Sequence, residues 1–305
     1  MVHGAIDEVV TMTRIISRRN LLRIGGGTAA TLGVSAMAGE LASVSALAQR
    51  GPGGNASKED VKEDFFYRED WFGEPWRQPE PALLIHGNDE SSIVWYGWVP
   101  RMAQEFRLLR LDLPGFGRSR IPARFEWSLP GLATFVAHVL DKAGVESAHI
   151  VGAKTGGAIA MQFAADYPKR TRTLVVASGP ASVIAMTNVS PIPQRSRLGS
   201  AASKEMIEYW NTLFATANPE GVKGLQLALS KFDLADGVLQ RITSPALVIT
   251  ADRSALQSVE NAREYQQKIR NSRLVVLRSD AYHIAAANAD ECVTHTIAFI
   301  KEQKA

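Results

Sequence analysis

The stretch Val151-Gly152-Ala153-Lys154-Thr155-Gly156-Gly157 decides the fold of this chain. An apolar run at residues 148–151 leads into it, and a run of small and apolar residues at 158–165 follows it. This order predicts a strand, a sharp turn flanked by glycines, and a helix. Such a turn folds the backbone tightly and directs the side chain of its middle residue, Lys154, into a pocket.

A lysine followed by threonine near glycines is also typical of a phosphate-binding loop. That motif requires a glycine directly before the lysine and another glycine five residues earlier. This chain has Ala153 and Ala148 at those two positions. We therefore interpret the turn as a nucleophile elbow, the strand-to-helix turn that exposes a reactive side chain, and not as a nucleotide site.

The composition limits the class of protein. The chain has 305 residues, of which 46% are hydrophobic, and this length is sufficient for one large hydrophobic core. The net charge is only +3, and the basic residues are scattered among acidic ones, so we expect no nucleic-acid partner. The single cysteine, Cys292, cannot form an internal disulfide. No group of His, Cys and Asp residues has the spacing of metal ligands, and we expect neither a metal nor a cofactor.

The N-terminus predicts export. The stretch Ser17-Arg18-Arg19-Asn20-Leu21-Leu22-Arg23 resembles a twin-arginine signal, and a weakly apolar run and the small-residue site Ala46-Leu47-Ala48 follow it. We expect residues 1–48 to be a signal peptide that engages the twin-arginine export machinery, which makes the mature protein periplasmic or secreted. No later stretch approaches the roughly 20 apolar residues of a membrane span, so no stable membrane anchor remains after cleavage. Residues 49–64 are rich in Gly, Pro and charged residues, which predicts a flexible lead-in.

Short apolar runs then alternate with helical patterns. Buried strands are predicted at residues 82–85, 107–112, 148–151, 173–177, 246–250 and 274–277, and helices at 95–105 and 129–143. This alternation predicts an α/β fold with a mostly parallel, doubly wound sheet, whose core comprises residues 65–178 and 243–305. Residues 179–242 interrupt the alternation with helical patterns only, at 203–215, 220–232 and 234–242. We expect this segment to form an all-helical lid over the ends of the strands.

Four motifs in this order resemble the α/β-hydrolase family from about Phe65 onward. They are Leu84-Ile85-His86-Gly87, the stretch Leu111-Asp112-Leu113-Pro114-Gly115-Phe116-Gly117-Arg118-Ser119, the elbow, and Ala281-Tyr282-His283. The resemblance implies that His283 is the catalytic histidine. It also implies that the backbone N–H groups of Asn88 and Thr155 form the oxyanion hole.

Two positions differ from that family at the reacting groups. The nucleophile, which is Ser, Asp or Cys in the family, is Lys154 here. The acid that orients the histidine follows the strand at 246–250, and Ser254 aligns best with that position. Asp252 lies two residues earlier and would reach His283 only if the loop were displaced. A surface turn is an equally good interpretation of this aspartate.

Chemistry restricts what Lys154 can do. An acyl group transferred to an amine forms an amide, which would stall a hydrolytic cycle, so serine-esterase chemistry at the elbow is excluded. A desolvated lysine can lose its proton and attack a carbonyl to form an imine. Alternatively, it can remain protonated and stabilise an anion, or transfer a proton.

Three functional hypotheses follow. The first is an exported enzyme in which Lys154 and His283 act on a small carbonyl substrate, by C–C cleavage, decarboxylation, isomerisation or lactone opening. The second is a hydrolase that uses a water activated by His283, or Ser254 paired with Lys154. The third is a ligand-binding protein that has lost catalysis. In the predicted lid, Arg195 and Arg197 are candidate ligands for a substrate carboxylate. The alternative is that they belong to a solvated basic loop, which is the more common situation for two neighbouring arginines.

Overall fold

The computed structural model of the protein describes residues 65–182, 193–230, 232–234 and 237–303. The predicted signal peptide at 1–48 and the lead-in at 49–64 lie outside the described residues. The same is true of residues 183–192, at the start of the predicted lid.

Seven strands form one sheet in the order β1-β3-β2-β4-β5-β6-β7. Strand β1 runs antiparallel to β3, and all other neighbours are parallel. The strands are β1 Phe66–Asp70, β2 Pro81–Ile85, β3 Arg107–Asp112, β4 Ala148–Ala153, β5 Thr171–Ala177, β6 Ala246–Ala251 and β7 Ser272–Leu277. The predicted α/β class and mostly parallel sheet are confirmed. The antiparallel edge strand β1 was not predicted from the sequence, because its charged residues hide the apolar pattern.

Nine α-helices accompany the sheet in the described part of the chain. They are α1 Val99–Met102, α2 Leu129–Lys142, α3 Thr155–Asp166, α4 Gln194–Leu198, α5 Lys204–Ala215, α6 Pro219–Leu229, α7 Val259–Gln267, α8 Ile284–Ala287 and α9 Ala289–Glu302. The single helix predicted at 95–105 was wrong, since a 3₁₀ turn at Ser92–Gly97 and the short α1 occupy this region. Pro100 lies in the first turn of α1, where its missing N–H favours the start of a new helix over the continuation of an old one.

Both faces of the sheet are buried. Alternate strand residues such as Leu83, Ile150 and Val176 pack with helices α2, α3, α6 and α7 on one face. Their neighbours, such as Leu84 and Val151, pack with α1, α5 and α9 on the other. Because side chains alternate along a strand, burial on both sides requires the continuous apolar runs that the sequence contains.

The turn between β4 and α3 is as sharp as the glycine pattern predicts. Lys154 has φ 52° and ψ −127°, a left-handed conformation that costs a side-chain-bearing residue about 1–2 kcal/mol. Gly156 permits this turn to approach the end of β2. A Cβ atom there would lie 2.3 Å from the carbonyl oxygen of Ile85.

The segment between β5 and β6 is largely helical where the structure describes it. Helices α4, α5 and α6 and a 3₁₀ turn at Leu239–Arg241 fall within this segment. An isolated antiparallel bridge joins Ser182 to Asp233 near its two ends. Within the described residues, no helix combines the length and apolar character needed to cross a membrane.

Candidate active site

The β4–α3 turn places Lys154 at the carboxyl ends of the parallel strands. Its backbone N–H donates a hydrogen bond to the carbonyl of Ala177, and its carbonyl accepts one from Gly157 N–H. Only 4% of the residue is exposed. An ammonium group buried to this degree needs a partner of opposite charge, because it has lost its hydration shell.

Glu90 supplies that charge from the loop that follows β2. Its Oε1 lies 2.5 Å from Lys154 Nζ, and its side chain has no exposed surface. Its second oxygen, Oε2, accepts a hydrogen bond of 3.1 Å from the backbone N–H of Gly87. A Cβ atom on Gly87 would lie 3.0 Å from the Cβ of Lys154, so glycine lets this loop close over the lysine.

His283 completes the cluster at the residue before α8. Its Nε2 lies 2.8 Å from Oε1 of Glu90, the same oxygen that contacts Lys154. The contact is close but poorly aligned for a hydrogen bond, and Nδ1 has no hydrogen-bond partner among the described residues. The backbone N–H of His283 donates to the carbonyl of Arg197, and the ring packs edge-on against Trp210.

The charges in this cluster are balanced. Burial alone would raise the pKa of Glu90, but His283 and Lys154 outweigh it and hold that pKa well below its ordinary value. Burial lowers the pKa of His283, and Lys154 adds to this effect while Glu90 opposes it. At neutral pH the cluster therefore holds an ionised carboxylate and a neutral imidazole, and the salt bridge with Lys154 balances the charge of the carboxylate.

A cavity of about 310 Å³ lies against the exposed side of Lys154. The loop after β2 and the elbow form one wall, with residues Asn88, Asp89, Lys154 and Thr155. The helical segment and two other loops form the rest, with residues Arg197, Gln226, Leu229, Ser230, Leu256 and Tyr282. Glu90 and His283 do not line the cavity. Lys154 is therefore the member of the cluster that a ligand would contact.

Of the two backbone groups implied as an oxyanion hole, the N–H of Asn88 is already engaged. Asn88 N–H donates a hydrogen bond of 2.7 Å to the Oγ1 atom of Thr155. Thr155 lines the cavity, and a hydroxyl that accepts one hydrogen bond can still donate its own proton. In this conformation a ligand therefore does not receive the hydrogen bond of Asn88 N–H, and the Thr155 hydroxyl is the group that takes it instead.

The structure does not bring the two candidate acid-position residues to His283. Asp252 accepts a hydrogen bond of 2.8 Å from Ser279 N–H through its Oδ1, which also lies 3.4 Å from Arg253. The Oγ of Ser254 accepts from the backbone N–H groups of two residues in its own loop, Leu256 and Gln257. Both side chains stabilise the turn after β6.

The two arginines of the helical segment between β5 and β6 have different positions. Arg197 is partly buried and lines the cavity, where its guanidinium lies 5.4 Å from the ring centroid of Phe214. Arg195 is exposed and does not line the cavity. Of this predicted pair, Arg197 alone can meet a ligand held against Lys154.

Sequence reasoning missed both acids of the loop after β2. Glu90 and Asp89 directly follow His86-Gly87-Asn88, and an acidic pair beside a buried strand end was the available signal. In the described ranges, no three His, Cys, Asp or Glu side chains form a group that could hold a metal ion.

Comparison with known proteins agrees with this architecture. A family described as alpha/beta hydrolase fold matches residues 80–202. The pimeloyl-[acyl-carrier protein] methyl ester esterase of Aeromonas hydrophila is 40% identical over 108 residues, which is 35% of this chain and 41% of that protein. The 2-hydroxymuconate semialdehyde hydrolase of Pseudomonas sp. strain CF600 is 33% identical over 99 residues, 32% of this chain and 35% of the hydrolase. The matched segment thus spans less than half the length of each relative.

Solved structures extend the likeness to most of the chain. The enol-lactonase of Burkholderia xenovorans LB400 superposes with a TM-score of 0.67 at 21% identity, and the match covers 78% of this chain and 96% of the lactonase. A hydrolase from Oleispira antarctica gives a TM-score of 0.68 at 20% identity, with coverage of 80% and 97%. Together with the strand order and the elbow, these matches establish that the chain has the α/β-hydrolase fold.

Proposed function

We propose that the protein is an exported α/β-hydrolase-fold enzyme that acts on a small carbonyl compound through the ammonium group of Lys154. In this proposal Lys154 contacts the carbonyl oxygen, while Glu90 and His283 lie behind it and hold its proton in place. The reactions that suit this arrangement pass through an enolate, as C–C cleavage, decarboxylation and isomerisation do. Neither a metal nor a cofactor takes part in the proposal.

One observation carries it. The buried Oε1 of Glu90 contacts both Lys154 Nζ and His283 Nε2, and of these three residues only Lys154 lines the cavity. The low pKa of Glu90 makes its carboxylate a poor proton acceptor, and the lowered pKa of His283 makes its imidazole a weak base. Lys154 Nζ, which forms a salt bridge with this carboxylate and belongs to the one member of the cluster that lines the cavity, is therefore the donor that a ligand can meet.

This arrangement favours proton donation over imine formation. A lysine must lose its proton before it attacks a carbonyl, and both of its neighbours accept a proton poorly. A fixed ammonium in the wall of a cavity instead stabilises negative charge that develops on a carbonyl oxygen. The esterase, the lactonase and the semialdehyde hydrolase named above are, by their names, enzymes of carbonyl compounds, which supports the substrate class.

The substrate that fits this cavity also carries a carboxylate. Arg197 and Lys154 are both in its wall, and a guanidinium can bind a carboxylate through two parallel hydrogen bonds. A volume of about 310 Å³ suits a small molecule. We infer a keto acid or a similar carboxylated carbonyl compound.

Export is the second part of the proposal and rests on the sequence, since residues 1–48 lie outside the described residues. The mass of the protein recovered outside the cytoplasm measures the cleavage site, which we expect after Ala48. Replacement of Arg18 and Arg19 by lysine should retain the protein in the cytoplasm. An exported protein that begins at Met1, or export that does not depend on the two arginines, would contradict this part.

The test of the catalytic part is turnover of four probes by the purified mature protein. Oxaloacetate and acetoacetate report decarboxylation, dihydrocoumarin reports lactone opening, and p-nitrophenyl acetate reports ester hydrolysis. We expect turnover of a keto acid, and a loss of about 10²–10³ in rate in Lys154→Met, the range measured when an oxyanion donor is removed. Lys204→Met, at a side chain that is 84% exposed, is the matched control.

Lys154→Arg separates the two roles of the lysine. Arginine keeps the positive charge but forms no imine, so part of the rate should remain and borohydride should trap no adduct. If an adduct is trapped on Lys154 and Lys154→Arg is inactive, the lysine acts by imine formation and not by proton donation. Unchanged turnover in Lys154→Met would overturn the proposed function.

A further inference from the structure

Asp89 is an acidic residue in the cavity wall that neither the family motifs nor the cluster around Glu90 accounts for. It follows Asn88 in the loop after β2 and lines the cavity with Lys154 and Arg197. The charges of these two cations act on its carboxyl group. Its neighbour Glu90 does not line the cavity. Of the two consecutive acids, Glu90 thus contacts Lys154 from the core, and Asp89 lies in the wall of the cavity.

The backbone explains how consecutive residues reach opposite sides. Asp89 has a φ of 60°, in the left-handed region that side chains adopt at a cost of about 1–2 kcal/mol. Glycine or asparagine would meet this backbone requirement equally well. The backbone conformation therefore does not explain why this position has an acidic side chain. A function of the carboxylate itself would explain it.

The surroundings give that carboxylate the properties of a base. No hydrogen bond between residues that the structure describes ends on its oxygens. Burial raises the pKa of Asp89, against the attraction of Lys154 and Arg197. A poorly solvated carboxylate accepts a proton more readily than an exposed one does. In many active sites one group donates a proton and a second group accepts one, and their different environments determine which group has which role.

We propose that Asp89 is the catalytic base that removes a proton from the carbon next to the substrate carbonyl, opposite Lys154. This inference rests on the proposed function. In the step, the C–H electron pair forms the C=C bond of an enol, and the proton moves to a carboxylate oxygen of Asp89. The carbonyl π electrons move to oxygen, which takes a proton from the ammonium of Lys154. The reverse transfers restore both residues, so the step consumes no other reactant.

Bromopyruvate is the probe that tests this geometry. Its carboxylate suits Arg197, its carbonyl suits Lys154, and its bromine marks the carbon from which the base would remove a proton. A carboxylate at that place attacks the carbon, an ester bond forms, and bromide leaves with the electron pair of the C–Br bond. The only thiol, Cys292, is buried and competes little for the reagent.

Peptide mapping by mass spectrometry after brief labelling of the full protein should find the ester on Asp89. We expect labelling at least tenfold faster than at Asp290, an exposed aspartate, and protection by excess pyruvate. Asp89→Asn should lose the label, and it should keep the melting temperature because asparagine tolerates a positive φ. If Asp89→Asn fails to fold, Asp89→Gly provides the same comparison without backbone strain.

The contrary results are equally definite. An unlabelled Asp89, labelling no faster than that of Asp290, or a label on Glu90 in its place would overturn the assignment. This failure differs from failure of the proposed function, because labelling requires no turnover. Turnover that Lys154→Met abolishes, with Asp89 unlabelled, would keep the role of Lys154 and reject that of Asp89.

Discussion

Replacement of Glu90 by glutamine tests whether the buried pair with Lys154 is the organising interaction of the site. The substitution keeps the size of the side chain and leaves an oxygen to accept the hydrogen bond from Gly87 N–H. It removes the negative charge that lies 2.5 Å from Lys154 Nζ, while the lysine stays 96% buried. Loss of one partner of a buried ion pair costs about 3–5 kcal/mol, because the other charge is left without compensation. We expect the free energy of unfolding to fall by this amount at pH 7.

The assay is equilibrium unfolding in urea. With an m-value of about 3 kcal/mol per molar, the midpoint should move down by about 1–2 M. Glu208→Gln is the matched control, since its exposed pair with Lys204 should contribute no more than about 0.5 kcal/mol. In the double variant Glu90→Gln with Lys154→Met no charge is left unpaired, and most of the lost stability should return.

The pH dependence gives a second measurement of the same pair. The folded-state pKa of Glu90 lies well below its ordinary value of 4.5, so its ionised form stabilises the fold at every pH above 4.5. The advantage of the wild type over Glu90→Gln should disappear only as the pH falls from 4.5 through the lowered pKa. A cost below about 1 kcal/mol at pH 7, or a double variant no more stable than Glu90→Gln, would refute the reasoning.

Three further predictions follow from the same geometry. Arg197→Met should raise the KM for a keto acid about tenfold or more, whereas Arg195→Met should leave it unchanged, because only Arg197 lines the cavity; equal effects in steady-state kinetics would contradict the carboxylate site. His283→Gln should reduce the loss of stability below pH 6.5, because the unfolded chain binds a proton there that folded His283, with its lowered pKa, does not. Unfolding free energies from urea curves should fall with pH more steeply in the wild type than in the variant, by up to about 1.4 kcal/mol per pH unit, while buried His86, whose pKa is lowered too, contributes equally to both. Lys154→Ser should hydrolyse p-nitrophenyl acetate hardly faster than buffer, because Asn88 N–H stays bound to Thr155 and Nδ1 of His283 has no acid partner among the residues that the structure describes. Brisk hydrolysis would show that another group orients His283.

The sequence predicted the parts of the fold that depend on local pattern. The apolar runs became strands because a sheet covered on both faces buries every residue of a central strand such as β4 or β6. The glycines of the elbow predicted the sharp turn at Lys154, and the structure shows why Gly156 is needed there: close approach to β2 leaves no room for a Cβ atom. The prediction of one helix at 95–105 did not take into account the effect of Pro100 on where a helix starts.

The site was harder to predict because its partners are distant along the chain. Glu90 and Lys154 are 64 residues apart, and nothing in either position alone shows that they meet. Asp252 and Ser254 follow a strand end as an acid-position residue would. Their hydrogen bonds, however, go to backbone N–H groups of the β6 and β7 loops and not to His283. Position after a strand thus narrows the candidates, and the hydrogen bonds of the loop then decide where each side chain points.

The two strands that carry Glu90 and Lys154 explain why an acid from this loop can serve the elbow. Strands β2 and β4 are parallel neighbours in which Ile85 pairs with Gly152, so both loops leave the sheet at the same edge, about 4.8 Å apart. The elbow forces its middle side chain toward this edge, and a lysine there cannot turn away to solvent. An acid in the loop after β2 is therefore within reach, whereas one after β6 must cross β5 as well. On this argument the charge of Lys154 and the charge of Glu90 form one unit, and a second acid beside them, Asp89, is free to face the cavity.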